Sequence, residues 1–168
     1  IFCYKCIEIN SYSNKIKSLA KLKVGSRIAI PSDPSNETRA LLLLQQAGLI
    51  ALDNQRAALT PANITANPKQ LQFMTLDAAD LSRTLNDVAA AIINTNYASV
   101  AGLHLKQALF VESTQSPYTN IIATTPNKIH SKKIQHLILA YQSNPVLAEA
   151  HKLFKGSAIP GWKVNTTG

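Results

Sequence analysis

Three short apolar runs, RIAIP (27–31), LQFMTL (71–76) and VAAAIIN (88–94), are each followed by a segment carrying helix-start signals. This alternation limits the fold more than any other feature of the chain. Near-continuous apolar runs of strand length are buried on both faces, and strands that alternate with helices specify a parallel α/β sheet covered on both sides. Pro31 stops the first strand, SDPSNE supplies a turn and capping residues, and TRALLLLQQA is a helix closed by Gly48. Its run of leucines at 41–44 needs cover from two sides. KIKSLAKLK (15–23), with Ile16, Leu19 and Leu22 at a spacing of three, predicts an amphipathic helical turn ending at Gly25. Thr60 and Pro61 open a short helix in PANITAN, AADLSRTLN is another, and TNYASVAG is stopped by Gly102. ALFVES and YTNIIATT are further strands, and helices at about 131–142 and 145–154 close the chain.

An apolar content of 46% against 15% charged residues is a folded composition that excludes general disorder. The formal charge of +8 is carried by lysines spread along the chain without interleaved aromatics, which describes a solvated face rather than a nucleic-acid surface. No run approaches the roughly 20 apolar residues of a membrane span. IFCYKCIEIN lacks a basic n-region and a small-residue cleavage site, so it does not read as a signal peptide. Cys3 and Cys6 form a single C-x-x-C with no further cysteines, in an apolar run of strand character, and are read as structural rather than redox or zinc residues.

Hydrolytic or transfer chemistry finds no signature. His104, His130, His136 and His151 have neither H-E-x-x-H spacing nor a neighbouring acidic or thiol cluster. No G-x-S-x-G, G-x-G-x-x-G or P-loop occurs among six glycines, and Asp77 and Asp80 are accounted for as helix-start residues. No cofactor or metal is implied.

In a parallel sheet the carboxyl ends of strands and the N-termini of the following helices meet at one rim, where ligands bind. Asn36 and Arg39 lie just beyond RIAIP, Asn94 ends VAAAIIN, and Asn96 opens the next helix. Arginine offers a planar fork of donors that matches a carboxylate, and an asparagine oxygen can accept from an ammonium group. One arginine with convergent asparagines is thus a clamp for an α-amino acid. The residues alone leave blander alternatives open: Asn36 as a cap, Arg39 lying over leucines or pairing with Glu37 or Asp33, and Asn94 closing a strand. On the clamp reading, Arg39 serves the ligand and its truncation leaves stability little changed.

The blocks YSNKIKSLAKLKVGSRIAIPSDPSNETRALLLLQQAGLIALD, AAIINTNYAS, FVESTQSPYTNIIAT, AYQSNPVLAEAHKLF and IPGW, in this order and spacing, resemble the methionine-binding lipoproteins of bacterial ABC importers, the NlpA/MetQ lipoprotein family. The resemblance runs from about Tyr12 to Trp162. It implies a class II periplasmic-binding-protein fold, in which two α/β lobes close on one amino acid and deliver it to a permease. It implies an envelope location, periplasmic or on the outer face of the cytoplasmic membrane, through a lipid anchor. By the family's DP-x-N-x-x-R motif, Arg39 would grip the ligand carboxylate, with Asn36 the motif asparagine. By I-N-x-x-Y-A, Asn94 would contact the ligand, with Tyr97 its aromatic neighbour, and by S-P-Y-x-N the further contact would be Asn120.

Family members begin with a lipobox cysteine and a segment that builds most of the first lobe, and neither has a counterpart here. The expected organisation is therefore one complete second lobe over residues 11–115, plus a tail, 116–168, that returns to an incomplete first lobe and exposes an edge able to self-associate. The expected function is binding of methionine or a similar apolar amino acid for import. A non-binding remnant or interaction domain, or an enzyme on a similar scaffold, are the alternatives.

Overall fold

The structure is a computed structural model that describes residues 4–6, 9–53, 55–112, 122–154 and 158–160. In chain order its elements are β1 (Tyr4–Cys6), β2 (Ile9–Tyr12), β3 (Arg27–Pro31), α1 (Pro34–Gln46), β4 (Ala51–Leu52), β5 (Ile64–Ala66), β6 (Gln72–Leu76), β7 (Ala90–Asn94), α2 (Thr95–Val100), β8 (Phe110–Val111), α3 (Lys132–Tyr141), α4 (Asn144–Leu153) and β9 (Ala158–Pro160). They fall into two compact units. One is Glu8–Glu112; the other combines Ile1–Ile7 with Ser113–Gly168.

The first of these is built on a five-stranded sheet in the order β6-β3-β7-β2-β8. Strands β6, β3 and β7 run parallel, as the alternating pattern predicts. The sheet is nevertheless mixed, because β2 lies antiparallel between β7 and β8. The expectation of a purely parallel sheet fails at INSY, whose central Asn10 and Ser11 do not read as core although both are wholly buried. Their side chains are satisfied: Asn10 Nδ2 donates to Thr95 Oγ1 at 3.1 Å, and Ser11 Oγ donates to the Phe110 carbonyl at 3.4 Å. Polar residues so paired can occupy a central strand without the cost of a desolvated orphan.

Residues along the central strands alternate between two cores. Ile28, Ile30, Ala90 and Ile92 pack with Ala40, Leu41, Leu43 and Leu44 of α1 on one face. Ala29, Ala91 and Ile93 pack with Leu81, Leu85, Val88 and Ala98 on the other. This is the two-residue period of a strand buried on both sides. Helix α1 begins at an Asp33 N-cap with Pro34 in its first turn, and Gly48 just beyond it sits at φ +70°, the left-handed conformation that ends a helix.

Several predicted helices are shorter than expected. The 15–23 segment contributes only a 3₁₀ turn at Leu19–Lys21, though Leu19 and Leu22 are buried as the spacing implies. PANITAN divides into a 3₁₀ turn, Pro61–Asn63, and β5, which pairs with β4. AADLSRTLN is 3₁₀ over Leu81–Asn86, buried through Leu81 and Leu85. Asp77 Oδ1 accepts from the Ala79 amide and Asp80 pairs with Arg83, so both acids serve local structure. ALFVES is a strand only at Phe110–Val111.

The other unit contains the antiparallel pair β1–β9 and helices α3 and α4, the two C-terminal helices expected. Cys6 lies in β1, whereas Cys3 is outside the described residues. Residues 122–125 carry no strand, and the rest of YTNIIATT lies outside the described residues. Leu137, Leu139, Leu153 and Phe154 are exposed, and a shallow cavity of about 370 Å³ is lined by Tyr141, Pro145, Val146, Leu153 and Phe154.

Candidate functional site

The parallel pairing of β3 with β7 sets their carboxyl ends side by side, so the N-termini of α1 and α2 open on the same rim. Antiparallel β2 begins there, since Ile9 pairs with Asn94, and β8 ends there, since Asn10 pairs with Val111. The sheet therefore delivers Asn10, Asn36, Arg39, Asn94, Thr95 and Glu112 to one edge. Apart from Asn36 and Asn94, these residues form a buried set of their own.

Asn36 and Asn94 meet directly: Asn94 Nδ2 donates to Asn36 Oδ1 at 2.8 Å. Asn36 Nδ2 in turn donates to both oxygens of Asp33, at 3.1 and 3.0 Å, while Asp33 Oδ1 also accepts from the Asn36 amide and caps α1. The order is dictated by the carboxylate. A carboxylate only accepts, so Asn36 must face it with Nδ2 and turn its oxygen to Asn94, which must answer with its own Nδ2. Asn94 Oδ1 is left buried without a hydrogen-bond partner. Asn94 is the N-cap residue of α2 but makes no side-chain cap bond. The capping alternative for Asn36 gives way to Asp33 as the cap.

Arg39 is buried in a bidentate pair with Glu112, Nε to Oε1 at 3.0 Å and Nη2 to Oε2 at 2.7 Å, with 5% and 7% of the two side chains exposed. Pairing with Glu37 or Asp33, the bland alternative, gives way to this one. The Glu112 amide donates to Asn10 Oδ1 at 3.3 Å, and Asn10 Nδ2 reaches Thr95 Oγ1, so the pair is tied to the first residue of α2. Sequence reasoning did not single out Glu112 or Asn10. The available signal was a carboxylate at the end of the apolar pair FV and an asparagine inside a strand-like lead-in, both polar residues at strand ends facing the arginine's rim.

Tyr97 is half-buried against the core on the α2 side of the sheet, and Asn96 is exposed. Asn120 lies outside the described residues. The four histidines are exposed, and among the described residues no His, Cys, Asp or Glu cluster has the makings of a metal site. A cavity of about 500 Å³ lined by Ser13, Asn14, Lys17, Lys106 and Gln107 lies beyond the far end of β2 and is no part of this rim.

Glu37, in the first turn of α1, is pushed above its ordinary carboxyl range by burial and, secondarily, by the negative charge of Asp33. An acid whose folded pKa is raised binds its proton more tightly folded than unfolded, so folding weakens as pH rises through that interval and recovers below the unfolded value near 4.5. Glu37→Gln should therefore melt higher than the parent at about pH 7, with the two converging by about pH 4. Thermal melts across this range check it. A variant that melts lower at neutral pH would mean that the helix N-terminal field, which favours the carboxylate, outweighs burial.

A family profile described as NlpA lipoprotein matches residues 4–162. The D-methionine-binding lipoprotein MetQ of Salmonella typhi is 46% identical over 158 residues, and that of Escherichia coli K12 is 44% identical over the same length. Each alignment covers 92% of this chain and 58% of the relative, so the chain spans a little over half the length of the curated relatives it matches. A nutrient-binding protein from Burkholderia cenocepacia, solved bound to methionine, superposes with a TM-score of 0.86 at 44% identity, over 96% of this chain and 68% of that one. The architecture is that of a class II periplasmic binding protein, shared over part of such a protein's length. With the profile spanning nearly all of the sequence and relatives this similar across it, the chain belongs to the NlpA lipoprotein family.

Proposed function

We propose that the chain is the methionine-binding portion of the substrate-binding component of a bacterial ABC importer, working at the cell envelope with a membrane permease. The Glu8–Glu112 unit is the second lobe of such a protein, and Ile1–Ile7 with Ser113–Gly168 supplies part of the first. The observation that carries this reading is Asn94 Oδ1, a buried acceptor held in place by a relay that ends on a carboxylate and left without a donor. A buried orphan acceptor costs about 1–3 kcal/mol, and a ligand ammonium would recover that cost. Arg39 meets the α-carboxylate, and Asn36 sets the orientation of Asn94. The ligand is a zwitterionic amino acid with an apolar side chain, because the rim supplies donors and an acceptor for the α-groups. Support comes from the likeness to a methionine-bound protein.

A non-binding remnant is the second reading, favoured by one observation: both Nε and Nη2 of Arg39 are already engaged by Glu112. Self-association through the unit containing α3 and α4 belongs to that reading, its exposed leucines being the surface available. Calorimetric titration with methionine, glutamate and phosphate separates the two. Methionine should bind tightest. Tighter glutamate or phosphate would reject the amino-acid clamp, and no binding by any of the three would leave the remnant reading.

A further inference from the structure

We infer that Asp33 is a positioning residue that sets ligand specificity through a relay: by way of Asn36 it decides which atom of the Asn94 amide faces the ligand, and so whether that point of the site reads a donor or an acceptor. This rests on the methionine-binding reading, and on its ammonium half alone.

An asparagine amide has nearly the same shape with its oxygen and nitrogen exchanged, so packing by itself does not choose between the two orientations. Two linked amides can therefore run in either direction, Asn36 accepting from Asn94 or donating to it. Here the direction is fixed by what stands at the outer end. Asn36 Nδ2 lies 3.1 and 3.0 Å from the two oxygens of Asp33, and a carboxylate cannot donate. Turning the Asn36 amide over would set its oxygen against that carboxylate. Turning Asn94 over alone would set two amide oxygens face to face across a 2.8 Å contact. Either reversal replaces a bond with a repulsion, so Asn94 Oδ1 is held as a buried acceptor without a partner. Capping explains one oxygen of Asp33, which accepts from the Asn36 amide at the start of α1, but asparagine or serine would cap as well. The second oxygen meets the Asn36 side chain, and that contact is what a carboxylate supplies and a neutral cap does not.

Asp33→Asn tests this, because asparagine keeps the cap yet can donate as well as accept. With its oxygen on the Asn36 backbone amide, the new amide nitrogen faces the Asn36 side chain, which turns its oxygen to meet it. Asn94 then turns as well and presents Nδ2 to the ligand, donor against ammonium. The 2-hydroxy analogue of methionine is indifferent to the reversal, since its hydroxyl donates to Oδ1 in one state and accepts from Nδ2 in the other. In calorimetric titrations of the full chain, Asp33→Asn is expected to raise the Kd of methionine about 10-fold and that of the hydroxy analogue less than about 2-fold. Equal losses for both ligands would indicate a merely structural role and overturn the inference, as would unchanged or tighter methionine binding.

Asp33 is exposed, and its charge alone could favour an ammonium through space. Such an effect is screened at 1 M salt, where the Debye length is about 3 Å, whereas a hydrogen-bonded relay is not. The methionine-specific loss should persist at that salt, and a loss that disappears overturns the inference. Combining Asp33→Asn with Asn36→Asp puts a carboxylate back into the relay one place nearer the ligand, where it can only accept from Asn94. Methionine affinity should then return to within about 3-fold of the parent, and a double variant that melts normally without recovering affinity overturns the inference. The single variant and its salt series decide alone should the double variant not fold. If Asp33→Asn itself does not fold, Asp33→Ser, which caps without a fixed pair of acceptors, replaces it with a smaller split of the same sign expected.

Asn94→Ala in parallel separates failure of this inference from failure of the reading beneath it. If Asn94→Ala weakens methionine binding and Asp33→Asn does not, Asp33 is a cap and the ammonium contact stands. If Asn94→Ala leaves methionine binding unchanged, or the parent chain does not bind methionine, the reading falls and the inference with it.

Discussion

Arg39→Ala is expected to destabilise the Glu8–Glu112 unit by about 3–5 kcal/mol, as well as abolish ligand binding. On the clamp reading of the sequence, this arginine serves the ligand and its loss leaves the fold nearly unchanged. The structure reverses that expectation, because Glu112 is 7% exposed and accepts two hydrogen bonds from Arg39. Truncation leaves a carboxylate desolvated and short of its counter-charge, which costs far more than the pair contributes over an apolar alternative. A double variant tests this account directly. Arg39→Met with Glu112→Leu removes both charges at similar volume and should return the fold to within about 1–2 kcal/mol of the parent, or beyond it. The double variant should fold yet not bind methionine, so stability and recognition separate within one pair of residues. Denaturant unfolding of the three proteins gives the result. A loss below about 1 kcal/mol for Arg39→Ala would place the pair with solvent-screened surface bridges, contrary to its burial.

The same pair illustrates how far the sequence could be read. The rim itself followed from local pattern: three apolar runs separated by helix starts place Asn36, Arg39 and Asn94 at one end of a sheet, and β3, β6 and β7 run parallel as that pattern requires. What the pattern could not supply was any contact set by antiparallel neighbours. Strand β2 is polar at its centre and reads as core only once Thr95 and the Phe110 carbonyl are known to stand opposite it. Glu112 is 73 residues from Arg39, and nothing local distinguishes it from a solvent-facing acid at a strand end. Helical spacing was legible in the same partial way. Leu19, Leu22, Leu81 and Leu85 are buried as their periodicity implies, but the segments close in 3₁₀ turns, because anchoring on two apolar residues suffices without the longer run of hydrogen bonds an α-helix needs.

Asn94→Ala should weaken methionine binding by about 10- to 100-fold while leaving the unliganded fold close to unchanged, a combination that few buried polar residues would give. The binding term is the loss of one charge-assisted hydrogen bond, from a ligand ammonium to Oδ1, worth about 1.5–3 kcal/mol. Three local terms set the stability. Removing Asn94 Nδ2 ends its bond to Asn36 Oδ1, at a cost of about 1 kcal/mol, which is reduced because Asn36 is only half-buried and water can replace the lost donor. Removing Oδ1 relieves a buried acceptor that has no partner, a gain of about 1–3 kcal/mol, much of which the space left by the shortened side chain takes back. The cap of α2 contributes nothing to the difference, since Asn94 makes no side-chain capping bond. The terms nearly cancel in the free protein, and only the ligand reveals the residue. Its 2-hydroxy analogue, which has no ammonium to offer Oδ1, should lose much less than methionine on the same substitution. Paired melts and titrations with the two ligands measure every quantity involved. If Asn94→Ala binds methionine as the parent does, or loses affinity equally for the hydroxy acid, then the acceptor serves some other donor and the ammonium half of the clamp is wrong.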